Sequence, residues 1–96
     1  MYKIHWSELS FERISEIGNY IALNAPVAAD KWINDILNKE GTILANPNIG
    51  RIVPEYKNKM IRELIVGEYR LIYKIELKTI SVMTVINCRE QLHTNA

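Results

Sequence analysis

The N-terminal part of the chain shows a period of two, followed by a helical period. Tyr2, Ile4 and Trp6 alternate with polar residues, which predicts a half-buried strand over residues 2–6. Ser7 suits the N-cap of a helix over residues 8–24. The apolar positions of this helix fall on one face and are Phe11, Ile14, Ile17, Gly18, Ile21 and Ala22. The chain therefore opens with a strand and an amphipathic helix.

A second amphipathic helix is predicted after Asn24-Ala25-Pro26, because proline disfavours helical backbone in the residue before it and suits the first helical turn. The short connection predicts a hairpin of two helices. Glu40 interrupts the apolar stripe and Gly41 weakens the helix, so we expect a bend or partial opening there. Glu40 should then pair with a sheet arginine or be exposed by the bend. The stripe consists of Ala29, Trp32, Ile33, Ile36, Leu37, Ile43 and Leu44, and it ends before Asn46-Pro47-Asn48.

From Met60 onward the pattern changes to β-branched and aromatic runs at residues 60–66, 69–75 and 79–86, which predict three strands. Their connections are short enough for hairpins, so the strands should form an antiparallel meander. The predicted fold class is α+β, in the order β-α-α-β-β-β, with a helical hairpin packed on one face of a twisted antiparallel sheet. Tyr69, Tyr73 and Trp32 are expected in the core, whereas alternation leaves open which face Arg62 occupies.

The length and composition favour one small domain. Ninety-six residues suffice for a single core, so we expect one domain over residues 1–96, with residues 90–96 forming a mobile tail. The chain shows neither a membrane-length apolar stretch nor a secretory signal, and we expect a soluble, cytoplasmic protein that does not bind membranes. Cys88 is the single cysteine and no histidines cluster, so we expect no disulfide, metal or other cofactor.

The charge is unevenly distributed along the chain. Residues 1–49 contain four Lys or Arg against six Asp or Glu, whereas residues 50–96 contain eight against five. The positive surface should therefore belong to the second half. A formal net charge of +1 is far below that of a protein whose affinity comes from neutralising many phosphates.

Residues from Tyr20 to Arg89 form a pattern that resembles the ParE/RelE toxin superfamily of bacterial type II toxin-antitoxin systems, nearer its ParE branch. The most specific part is the string from Arg62 to Tyr73, preceded at the right distance by Pro47-Asn48-Ile49-Gly50-Arg51. The other matching positions are Tyr20-Ile21, Pro26, Ala28-Ala29, Leu44, Asn46-Pro47, Ile52-Val53-Pro54 and Arg89. The pattern spans nearly the whole chain in the predicted order of elements.

This resemblance implies a small toxin neutralised by a cognate antitoxin, whose flexible segment wraps the toxin and folds on binding. ParE-like members poison DNA gyrase, which implies action by protein binding without catalysis. RelE-like members cleave messenger RNA in the ribosomal A site, and the two branches share a fold that does not fix function. ParE-like chains often read His-Gly-Arg-Arg after the last strand, where this chain reads Asn87-Cys88-Arg89-Glu90. A non-toxic relative that retains only antitoxin binding is therefore a third alternative.

The sequence assigns no catalytic residue. RNA cleavage without a metal needs side chains that transfer protons and stabilise the phosphorane. His5 is expected to face solvent from the first strand and His93 to lie in the tail, and neither has a neighbour that poises it. Enzymatic activity therefore stays open: none for a ParE-like toxin, an endoribonuclease for a RelE-like one. No small-molecule substrate is expected.

The candidate target-binding residues are Arg62, Arg70 and Arg89, because guanidinium groups bind phosphate or carboxylate bidentately. Lys57 and Lys59, in the connection before the second strand, are candidates for additional contacts. The alternative interpretation is that the arginines solubilise an exposed sheet and the lysines a solvated loop. The sequence assigns no antitoxin-binding residues.

Overall fold

The computed structural model describes residues 1–92, and the elements in this range are two helices and five strands. His93 and the rest of the predicted tail beyond Leu92 lie outside the described residues. A 3-10 turn at Pro47–Ile49 joins the helices to the second strand. The elements are β1 (Lys3–Trp6), α1 (Glu8–Ala22), α2 (Pro26–Ala45), β2 (Arg51–Ile52), β3 (Ile61–Val66), β4 (Tyr69–Ile75) and β5 (Thr79–Asn87).

The strands form one sheet in the order β1-β5-β4-β3-β2. Strands β3 to β5 pair antiparallel, as predicted. Strand β2, which the sequence did not predict, pairs antiparallel with β3, whereas β1 pairs parallel with β5, so the sheet is mixed. The helical hairpin explains this difference, because it returns the chain to the end of the sheet at which β1 finished. Strand β2 then runs opposite to β1, and three further reversals make β5 parallel to β1. The predicted order and the helical layer on the sheet are confirmed.

The main core lies between the helical hairpin and one face of the sheet. Helix α1 contributes Ile14 and Ile17, and α2 contributes Trp32, Ile36 and Ile43. Trp32 and Tyr73 are buried, as predicted, and Tyr69 packs edge-on against Trp32 with ring centroids 5.2 Å apart. The sheet side of the core contains Val66, Leu71, Tyr73, Ile75, Ile80, Val82 and Val85.

The buried stripes of the helices are narrower than predicted. Phe11 is 52% exposed and Leu37 is 40% exposed, although both were expected on the buried faces. Phe11 lies at the margin of the layer, where its ring stacks on Trp6 with centroids 6.1 Å apart. The β1 edge strand thus supplies a partner for a side chain that the sheet does not cover.

Helix α2 continues without interruption through Gly41 to Ala45, so the predicted opening is wrong. One glycine costs a helix only about 1 kcal/mol relative to alanine, which packing against the sheet outweighs. Glu40 is half-buried, and its carboxylate accepts a 2.7 Å hydrogen bond from the indole Nε1 of Trp6. The polar partner of Glu40 is therefore a tryptophan on β1, and the predicted sheet arginine is wrong.

A second, smaller cluster lies on the opposite face of the sheet. The segment of residues 53–60 folds over this face, so that Val53 packs with Ile61 and Ile72. Tyr56 from the same segment and Leu92 from the C-terminal end pack against this cluster. Among the described residues, neither helix combines the length and hydropathy needed to cross a bilayer.

Candidate functional site

The β3–β4 hairpin decides which face each candidate arginine occupies. Its two-residue connection places Gly67 at φ 62°, a left-handed conformation that glycine adopts without steric cost. The resulting register pairs Arg62 with Tyr73 and Ile65 with Arg70. Since directly paired residues share a face, Arg62 lies on the face that the helices cover and Arg70 on the other. The structure does not bring these two arginines together.

Arg62 holds the connection between α2 and β3. Its Nη1 donates to the carbonyls of Asn48 at 3.3 Å and Gly50 at 2.9 Å, and its Nε donates to the carbonyl of Lys59 at 3.1 Å. Beside it, the Tyr73 hydroxyl donates to the carbonyl of Pro47 at 2.6 Å and accepts from the Gly50 amide at 3.0 Å. Burial raises the pKa of Tyr73 above its ordinary value.

Arg70 lies at the centre of a buried ion network on the other face. Its Nε donates to Glu63 Oε1 at 2.6 Å, and its two Nη atoms donate to both carboxylate oxygens of Glu55 at 2.9 and 2.8 Å. Arg51, paired with Glu63 across β2 and β3, donates to the second oxygen of Glu63. The side chains of Arg70 and Glu63 are 7% and 0% exposed. Two arginines and two carboxylates therefore neutralise each other, and solvent screens the buried pair of Arg70 and Glu63 least, whereas Arg51 is 65% exposed.

The pKa shifts reflect this network. The hydrogen bonds from Arg70 lower the pKa of Glu55 from 4.5 to about 2, against the opposing effect of burial. The same pair raises the pKa of Arg70 above its usual range, again against desolvation. Both groups are therefore charged at neutral pH.

The turn after β5 presents Cys88 and Arg89 outward. The Asn87 side-chain oxygen accepts from the Arg89 amide at 2.8 Å, and the Glu90 amide donates to the Asn87 carbonyl at 3.0 Å. The Glu90 carboxylate accepts from the Asn87 amide and from Arg13 Nη2, each at 3.1 Å. Cys88 is a free, exposed thiol, and the Arg89 side chain is exposed.

These elements border a groove of about 460 Å³ at the C-terminal end of β5. Within the described part of the chain, three arginines and two glutamates line it, together with Ile65 and smaller groups. Glu63 lies beneath Arg51 and Arg70, so the positive and negative charges balance. The charged lining residues are Arg51, Glu55, Arg70, Arg89 and Glu90. A groove of this kind suits a partner surface of mixed charge that also offers an apolar side chain to pack against Ile65.

Of the five predicted target-binding residues, only Arg70 and Arg89 line the groove. Arg62 lies on the opposite face, and the Lys57 and Lys59 side chains are exposed on the segment of residues 53–60. His5 is exposed on β1, as expected.

Sequence reasoning missed Arg51, Glu55 and Glu63. Glu63 was detectable, because a carboxylate in the middle of an apolar strand requires a buried partner. The two-residue connection of the hairpin then places Arg70 diagonally opposite Glu63.

Several solved structures share this fold, and two of them are toxin-antitoxin assemblies by name. The chain is similar to a structure of the chromosomal ParDE toxin-antitoxin system from P. aeruginosa, with a TM-score of 0.75 and 17% identity over 91% of this chain and 96% of that one. It is also similar to the RelBE2 toxin-antitoxin complex from Mycobacterium tuberculosis, with a TM-score of 0.63, 14% identity and coverage of 90% and 96%. For the YoeB dimer from Staphylococcus aureus, the TM-score is 0.52, with 20% identity and coverage of 88% and 94%. At these identities the likeness establishes the fold alone.

A sequence-family comparison specifies the class further. The chain matches the family described as the ParE toxin of the parDE type II toxin-antitoxin system over residues 4–92. It therefore belongs to the ParE toxin family, within the ParE/RelE superfamily. A comparison with curated protein sequences finds no significant match.

Proposed function

We propose that this chain is a toxin that inhibits DNA gyrase by binding it, without catalytic chemistry of its own, and that a cognate antitoxin neutralises it. The observation that carries this proposal is the balance of charge in the groove. Glu55 and Glu63 engage Arg70, and Glu63 also engages Arg51, so these guanidinium groups are compensated within the protein. RNA cleavage would instead require uncompensated positive groups aimed at the developing phosphorane charge. A protein surface of mixed charge suits the groove better.

Family membership supports the same choice between gyrase and the ribosome. The sequence matches the ParE family over residues 4–92, whereas the RelBE2 complex shares the fold at 14% identity. Because one fold supports both activities, the match to the ParE family is more informative about the target than the structural likeness to the RelBE2 complex.

An antitoxin partner is supported by two observations. The similar ParDE and RelBE2 structures are themselves toxin-antitoxin assemblies by name. In this chain, large apolar side chains are exposed around the connection between the helices, where Tyr20, Leu23 and Val27 are 69%, 78% and 83% exposed. Large exposed apolar side chains near one another in the chain are a feature of protein-protein interfaces.

The test is expression of the chain without an antitoxin, together with a supercoiling assay on purified gyrase. We expect growth arrest with filamentation and a DNA damage response, and loss of supercoiling in vitro. The Arg89→Ala variant should inhibit more weakly than the wild type. The matched control is Lys31→Ala, which removes an exposed cation from α2. Lys31 does not line the groove.

Two other outcomes would contradict the proposal, and each would identify a different function. Rapid translation arrest with messenger RNA cuts in the ribosomal A site would identify a RelE-like endoribonuclease. Unimpaired growth at a verified protein level, with retained antitoxin binding, would identify a non-toxic relative.

A further inference from the structure

We propose that Arg70 and Glu55 form an anchor that holds residues 88–92 against the sheet and thereby fixes the position of Arg89. In this assignment Arg70 is a positioning residue and Arg89 contacts the target. The inference rests on the proposed function only in the assignment of Arg89. The existence of the anchor does not depend on which target the toxin binds.

One guanidinium and one carboxylate join four segments of the chain at the anchor. Arg70 of β4 reaches Glu63 of β3, Glu55 of the segment of residues 53–60, and, through Nη1, the carbonyl of Glu90 at 3.2 Å. Glu55 Oε2 in turn accepts from the Leu92 amide at 3.1 Å. The C-terminal segment is thus bound at two backbone positions by side chains that are themselves paired.

The segment depends on such contacts because β5 ends at Asn87. Past that residue, the Cys88 amide donates to the Glu68 carbonyl at 2.8 Å, and the Arg89 and Glu90 amides donate to Asn87, so these bonds hold the turn as far as Glu90. The contacts from Arg70 and Glu55 then hold the chain from Glu90 to Leu92.

A second contact holds the same turn from the helical layer. Arg13 of α1 donates through Nη2 to the Glu90 carboxylate at 3.1 Å and through Nε to the Val85 carbonyl at 3.0 Å. Glu90 is therefore bound through its carbonyl by Arg70 and through its side chain by Arg13. Arg89 lies between Glu90 and Cys88, whose amide is bound to the Glu68 carbonyl, and its exposed side chain lines the groove.

The contacts of Arg70 argue against a direct role in binding. Its side chain is 7% exposed, and each of its three nitrogens already donates to an oxygen of the protein. A target carboxylate would have to displace Glu55 from a bidentate, charge-assisted pair, which is the strongest arrangement available to an arginine.

The anchor is tested with the Glu55→Ala variant, which removes both contacts of Glu55 but leaves Arg70 paired with Glu63. We expect hydrogen exchange at the Leu92 amide to rise about tenfold, the factor set by one lost hydrogen bond. Glu55→Gln keeps an oxygen for that amide and should restore most of the protection. Glu76→Ala, which removes an exposed carboxylate from the β4–β5 hairpin, is the matched control and should leave Leu92 unchanged. Unchanged exchange in Glu55→Ala would overturn the anchor.

The positioning role is tested by combining variants in the gyrase assay. Glu55→Ala and Arg89→Ala should each raise the inhibitory concentration about tenfold, and the double variant should be no weaker than Arg89→Ala alone, because residues that act through one another are not additive. Additive losses would overturn positioning through Arg89. Circular dichroism verifies that each variant is folded. If the wild type does not inhibit gyrase, the proposed function fails, whereas the exchange measurement still decides whether the anchor exists.

Discussion

Among single residues, Glu63 depends most on its partners, since it is 1% exposed and bears a charge. Removing one member of a buried ion pair leaves the other charged in a poor solvent, which typically costs 3–5 kcal/mol. We expect Glu63→Gln to lower the free energy of unfolding by about 3 kcal/mol, near the lower bound because Glu55 still pairs with Arg70. Urea denaturation measures this change. Asp35→Asn, which breaks an exposed pair with Lys31, should cost less than about 0.5 kcal/mol. If both variants lowered the free energy of unfolding equally, the buried pairs of Glu63 would contribute no more to stability than an exposed pair.

Glu55 makes the free energy of unfolding depend on pH in the acidic range. Its pKa is about 2 in the folded protein and 4.5 as an unperturbed group, so the unfolded chain binds the proton first as pH falls. The stabilisation is therefore complete above pH 4.5 and is lost progressively as pH falls toward 2. The loss should be on the order of 2 kcal/mol, discounted for partial solvent contact of the carboxylate. Unfolding experiments from pH 6 downward should show a shallower decline in Glu55→Gln than in the wild type, and parallel curves would contradict the assignment.

At the level of the elements, α2 contains a glycine that its packing does not require. A methyl group added at Gly41 would meet nothing within 4 Å, so Gly41→Ala should stabilise the protein by about 1 kcal/mol through helix propensity. This corresponds to an increase in melting temperature of roughly 4–8 °C for a domain of this size. The matched variant Gly18→Ala should gain less, because its methyl group would lie 2.8 Å from Ile33 Cδ1 and force that side chain to move. A greater gain for Gly18→Ala would contradict this account of the interface between the helices.

Elements with a clear apolar pattern were predictable from the sequence. Both helices show apolar residues at the helical period, and β3 to β5 are β-branched and aromatic runs with apolar residues on both faces. Strand β2 escaped detection because Arg51 and Ile52 are too few to show a period. The parallel pairing of β1 and the exposure of Phe11 also escaped, because both depend on how the helical layer sits on the sheet. Periodicity records which side of an element is apolar, but not how far a neighbouring layer extends over it.

At the scale of the whole molecule, the residues of the groove were partly predictable. Arg70 and Arg89 were named from the sequence and line the groove, and their role in target binding stays a prediction. Arg62, named with them, does not join them, because the hairpin connection places Arg62 and Arg70 on opposite faces. The contact of Glu55 with Arg70 arises only when the segment of residues 53–60 folds across the second face of the sheet. No local sequence pattern predicts this contact, because it forms only when the loop of residues 53–60 packs on strands that lie elsewhere in the sequence.

The assembled charge distribution makes a final prediction about nucleic acid. The chain has a formal net charge of +1, and Arg51 and Arg89 are the lining arginines whose side chains reach solvent. If both neutralise phosphates on single-stranded RNA in spite of the pairing of Arg51 with Glu63, the logarithm of the binding constant should fall with the logarithm of salt concentration at a slope no steeper than about −1.4. Fluorescence anisotropy over a range of KCl concentrations measures this slope. Gln91→Arg adds one cation to the groove and should steepen the slope by about 0.7. A wild-type slope near −4 would reveal several further phosphate contacts, and the charge-balanced groove would then no longer favour a protein target over RNA.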